Sequence, residues 1–74
     1  MNLYLLTQTV NNDYDTYDSA VVVAKDAKSA RHIKVGGGFS SHNDWANPSD
    51  VKAKLIGTTT RKRPGVILAS YNAG

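Results

Sequence analysis

The stretch SAVVVAKDAKSARHIK, residues 19–34, decides the fold. Residues 19–24 are apolar on both faces and rich in β-branched valine, which suits a strand in the middle of a sheet. Lys25-Asp26 ends that strand, and Asp26 has the side chain of a helix N-cap. Ala27, Ala30 and Ile33 then recur at a spacing of three and predict a short helix over 27–34 with that face on the sheet. Lys28, Arg31 and Lys34 fall outside the face, and Lys34 lies where the helix dipole favours a cation. A strand leading straight into a short helix points to a layered α+β domain.

The rest of the chain adds strands on both sides. Upstream, NLYLLTQTV at residues 2–10 predicts a first strand, with Leu3 and Leu5 on one face and Tyr4 and Leu6 on the other. Asn11-Asn12-Asp13 interrupts it with turn-forming side chains. Downstream, Gly36-Gly37-Gly38 opens a long irregular segment, 35–49, predicted to fold back so that Trp45 covers one end of the core. Residues 51–60 predict a third strand, with Val51, Ala53, Leu55 and Gly57 on one face and Lys52, Lys54 and Ile56 on the other. Residues 66–71 predict a fourth. Arg61-Lys62-Arg63-Pro64-Gly65 between them carries a turn signal, so the last two strands are expected to form an antiparallel hairpin with a basic tip.

The expected order is therefore β-β-α-β-β. It describes one two-layer α+β domain over 1–74, with a four-stranded, mainly antiparallel sheet and one short helix. One helix covers one face of a sheet. The other face is left to water, the long segment or a second copy, which makes a homodimer a candidate.

Composition narrows the functional classes. The 74 residues contain no cysteine and no glutamate, so neither a disulfide nor a thiolate metal site supports the fold. His32 and His42 are not at a zinc spacing. No apolar run approaches the roughly 20 residues of a membrane helix, and the N-terminus lacks a signal-peptide pattern. A cytoplasmic protein is expected. The net charge of +3 is unevenly divided. Residues 1–24 carry three aspartates and no base (−3), whereas residues 25–74 carry nine bases against three aspartates (+6). Such a dipolar chain steers charged partners without naming one.

Two surfaces stand out. DYDTYDS, residues 13–19, carries Tyr14, Asp15, Tyr17 and Asp18, an acidic segment with the amphipathic rings favoured in protein interfaces. It lacks the ligand pattern of a calcium loop, so no metal is expected there. The second surface is basic: Lys52, Lys54, Arg61, Lys62 and Arg63 suit contacts to nucleic-acid phosphates. Trp45 is either a core residue or, if exposed, a binding anchor. Catalysis has little to work with. His32 beside Lys28 and Arg31, and a His42–Asp44 pair, have no nucleophile motif around them, so a non-enzymatic protein without cofactors is expected. The glycine run follows the helix rather than opening one and lacks a phosphate-loop signature.

YDTYDSAVVVA followed by a short helix, then VKAKLIG and a terminal GVILASYNAG, resembles very small proteins encoded by bacteriophages and prophages. The resemblance covers about half the chain and carries no catalytic motif. It implies a phage protein that blocks a host defence complex, as anti-CRISPR proteins do. Tyr14, Asp15, Tyr17, Asp18 and Trp45 would then form the partner face, and the host cytoplasm would be the location. It leaves two alternatives: a nucleic-acid-binding accessory protein using the basic hairpin, and a sponge for nucleotides built on the Gly36–Gly38 loop.

Overall fold

The computed structural model describes residues 1–10, 16–36 and 45–72. Four strands and one helix follow the expected order: β1 (Asn2–Thr7), β2 (Thr16–Ala24), α1 (Ala27–Arg31), β3 (Lys52–Thr58) and β4 (Gly65–Asn72), with a 3-10 turn at Pro48–Asp50 ahead of β3. The architecture is α+β, with α1 packed on one face of a four-stranded sheet.

The sheet order is β3-β1-β2-β4, and all three pairings are antiparallel. β1 and β2 form the central hairpin, from Asn2 opposite Ala24 to Thr7 opposite Ser19. This bears out the central place expected for β2. The last two strands, however, do not pair. β3 lies beside β1 on one edge and β4 beside β2 on the other, so the expected basic hairpin is replaced by a crossover through residues 59–64. The physical reason is the central hairpin. Its two strands are apolar on both faces and each has one free edge, so each outer strand gains a buried neighbour that the other outer strand could not supply.

The alternation read from β1 holds. Tyr4 and Leu6 are buried on the α1 side with Ala20, Val22 and Ala24 of β2, while Leu3 and Leu5 face the other way. Ala30 of α1 is fully buried against them, and Ala27 and Ile33 pack at the margin. Val35, Trp45 and Val51 complete the core. Two bulges break the period in the outer strands. Leu55 pairs with Tyr4 but Gly57 with Leu3, so Ile56 is the extra residue; Leu68 pairs with Val21 but Val66 with Val22, so Ile67 is another. Leu55 and Gly57 are thereby on opposite faces, a correction to the simple alternation expected for β3.

α1 ends earlier than predicted because the chain tightens at His32: the His32 N–H donates to Ser29 O at 3.2 Å and the Ile33 N–H to Ala30 O at 3.1 Å, each three residues back. Its start is as expected. Asp26 is extended (φ −154°, ψ 171°), and its side chain accepts the Ser29 N–H at 2.7 Å. The Ser29 backbone amide, then its side chain, hold the Asp26 carboxyl below its ordinary value of 3.8. The sign follows directly. A depressed folded pKa gives stability that is fully present above the unfolded value and is lost as pH falls through the folded one. Asp26→Ala is therefore expected to lower Tm at neutral pH, with the gap to wild type closing below pH 3.8. Paired thermal melts across acid pH check this; a gap that persists at the lowest pH would assign the loss to something other than the ionised cap.

The face away from α1 is uncovered among the described residues. Leu5, Val21 and Leu68, with Ser19 and Ser70, line a shallow depression of about 170 Å³ there. Leu68 is 68 % exposed.

Candidate nucleic-acid interface

The crossover builds the basic end of the molecule. β3 runs out beside the start of β1, where the Thr59 N–H donates to Met1 O at 2.9 Å and the Met1 amino group donates to Thr59 O at 3.2 Å. Gly65 resumes pairing opposite Val23, near the end of β2. Residues 60–64 therefore pass the end of the sheet where β1 begins and β2 finishes. Four strands at ~4.8 Å spacing place the two edges ~14 Å apart, a distance that six residues span easily. The Arg61 N–H donates to Thr59 Oγ1 at 3.1 Å, which shapes the start of the loop. Gly65 lands the chain on β4 with φ 158°, a conformation side chains disfavour.

Arg61, Lys62 and Arg63 are all exposed in this loop. Lys25, the residue after β2, is exposed at the same end, and its carbonyl accepts from Asn2 Nδ2 at 3.4 Å. Lys52 and Lys54 lie elsewhere. They sit opposite Thr7 and Leu5 on the uncovered face, roughly 13–20 Å of strand back from the crossover end of β3. The five bases predicted to act together are thus divided into a loop trio and a strand pair. Among the described residues none of the nine lysines and arginines is held in an ion pair.

The acidic segment is only partly described. Tyr14 and Asp15 lie outside the described residues, as do Asp13, His42 and Asp44. Tyr17 pairs across strands with Tyr71, ring centroids 4.8 Å apart and planes tilted by 56°. Tyr17 is half-buried and packs on the core, so its ring is largely committed. Asp18 is the extra residue of a further β2 bulge; it is exposed and accepts from Ser19 Oγ at 3.1 Å. Gln8 fixes this end by donating through Nε2 to Tyr17 O at 2.8 Å. Trp45 is 4 % exposed and belongs to the core cluster, which leaves it almost no surface for a partner. The proposed partner face is therefore not assembled from Tyr17, Asp18 and Trp45 together. Asp18 and the basic loop stand at opposite ends of β2.

Sequence reading left Lys25 out of the basic group, because only the strand order shows that β2 ends where the crossover passes. Among the described residues no group of three or more His, Cys, Asp or Glu could hold a metal ion, and no helix is long and apolar enough to cross a membrane. Of the glycine loop, Gly36 is described (φ 107°), whereas Gly37 and Gly38 lie outside the described residues.

No protein-family model matches the chain, and no solved structure does. The chain is similar to the small ribosomal subunit protein uS5 of Sulfurihydrogenibium sp. (strain YO3AOP1), with 36 % identity over 70 residues. The match covers 93 % of this chain and 36 % of that protein, so the chain spans about a third of the relative's length. The similarity overturns the expectation of a phage-encoded, anti-CRISPR-like inhibitor, together with its alternatives as a phage accessory protein or nucleotide sponge. The host defence complex expected as its partner falls as well. The protein this chain is similar to is a component of the small ribosomal subunit, and the similarity runs through almost every described element.

Proposed function

We propose that this chain is a non-enzymatic RNA-binding module of ribosomal-protein type, acting in the cytoplasm. The observation that carries the reading is the crossover loop, which sets Arg61, Lys62 and Arg63 in solvent beside Lys25, with no ion pair to them among the described residues. Such cations neutralise backbone phosphates and release the counterions condensed on them. The similarity to a small ribosomal subunit protein supports RNA as the polyanion. The mechanism is electrostatic positioning: the rigid sheet end fixes where the backbone lies, and long side chains reach its oxygens.

Fluorescence anisotropy with a labelled single-stranded RNA tests the reading. Three phosphate contacts predict that log K falls against log salt with a slope of about −2 for a single strand. A flat response, or no binding at ~50 mM salt, would remove RNA binding as the function.

A further inference from the structure

We infer that the outer flank of α1 forms a second RNA-contacting groove, in which Lys28 and Arg31 hold backbone phosphate and His32 Nε2 accepts a ribose 2′-hydroxyl. The inference rests on the RNA-binding reading and assigns it a surface on the helix side of the sheet, whereas Lys52 and Lys54 stand on the face away from α1.

Two depressions lie side by side on this flank. One, of about 380 Å³, is lined by Lys25, Asp26, Lys28, Ser29 and His32. The other, of about 470 Å³, is lined by Lys28, Arg31, His32, Pro48 and Ser49. They share Lys28 and His32, so they form one continuous groove along α1, and Pro48 and Ser49 of the 3-10 turn stand opposite the helix in its second part. Residues at i, i+3 and i+4 lie on one helix face, which gathers Lys28, Arg31 and His32 there while Ala27, Ala30 and Ile33 face the core. The cations are about 5–6 Å apart along the helix, a step suited to neighbouring phosphates on one strand.

The lining is cationic in net terms. Lys25, Lys28 and Arg31 face one carboxylate, Asp26, and that carboxylate is committed to capping Ser29 N at 2.7 Å. His32 is held as well. Its Nδ1 lies 2.8 Å from Lys28 O, and a carbonyl can only accept, so Nδ1 carries the proton. In the neutral ring the other nitrogen, Nε2, is then the acceptor, on an exposed side chain. An acceptor among cations matches a phosphodiester strand whose sugar offers a donor. That donor is the 2′-hydroxyl, the group by which a protein tells RNA from DNA.

The test is a ¹H–¹⁵N titration of wild-type protein with a single-stranded RNA of about twelve nucleotides, within the usual span of small single-strand sites. The same-sequence DNA is run beside it. RNA is expected to shift the amides of Ser29, His32 and Ser49 as well as those of Arg61 to Arg63. Lys28→Gln with Arg31→Gln should weaken RNA roughly tenfold at ~100 mM salt, and His32→Phe should erase a preference for RNA over DNA while leaving the salt slope unchanged. RNA that shifts only the crossover amides overturns the groove and leaves the RNA-binding reading standing. RNA that shifts neither region removes both. Equal affinity of wild type for RNA and DNA removes the role of His32.

Discussion

Replacing Trp45 by alanine is expected to remove about 3–5 kcal/mol of stability, the usual cost of deleting a large buried ring. A domain of this length has roughly 4–11 kcal/mol in total, so the variant should lose from about a quarter to all of its stability. The argument rests on placement. Trp45 is 4 % exposed and shares one cluster with Leu6, Val22, Ala30, Val35 and Val51. α1 is only five residues long and cannot fill the layer above the sheet by itself. The indole fills the remainder. Urea titration followed by far-ultraviolet circular dichroism measures the effect, since the variant loses its only tryptophan. Trp45→Phe should recover most of the loss. A Trp45→Ala variant as stable as wild type would mean that the ring is peripheral and free to meet a partner.

The second large effect is on binding. Arg61→Glu, Lys62→Glu and Arg63→Glu together are expected to lower RNA affinity about 100-fold at ~100 mM salt. The figure follows from losing three contacts at about 0.7 of a counterion each. The salt slope should fall by about 2 at the same time. All three side chains are exposed, and none is paired among the described residues, so Tm should hold within a few degrees. Lys52→Glu with Lys54→Glu serves as the comparison. These lysines stand on the β3 edge, away from the crossover, and a smaller loss is expected. If the strand pair mattered as much as the loop trio, the bound strand would have to run along the edge of β3 instead of across the sheet end.

Much of this fold was legible because its signals are local. Alternation in NLYLLT separates Tyr4 and Leu6, which are buried, from Leu3 and Leu5, and Asp26 followed by Ala27, Ala30 and Ile33 marks the cap and the packed face of α1. Strand order was not legible. Arg61-Lys62-Arg63-Pro64-Gly65 has genuine turn chemistry, but turn chemistry reverses the chain without saying which strand it reverses beside. That choice belongs to the free edges of β1 and β2, which lie far away in sequence. The bulges at Ile56 and Ile67 escaped for a related reason: they adjust registers between distant strands. The basic surface was misjudged with the topology. Its bases are plain in the sequence, but their grouping depends on strand order. Lys28 and Arg31 were read as the solvent side of a helix, because only the 3-10 turn opposite turns that side into a groove.

The crossover also sets the order in which the chain can fold. The central hairpin joins neighbours in sequence and pays little entropy for its closure. Both outer strands must find partners far back along the chain, as the Met1–Thr59 pair, 58 positions apart, illustrates. High contact order of this kind slows folding into the millisecond-to-second range. During synthesis the β1 and β2 edges therefore stay bare until residues 58 and 72 have been made. A nascent chain halted before Lys52 would present two unpaired apolar edges to whatever strand is nearest.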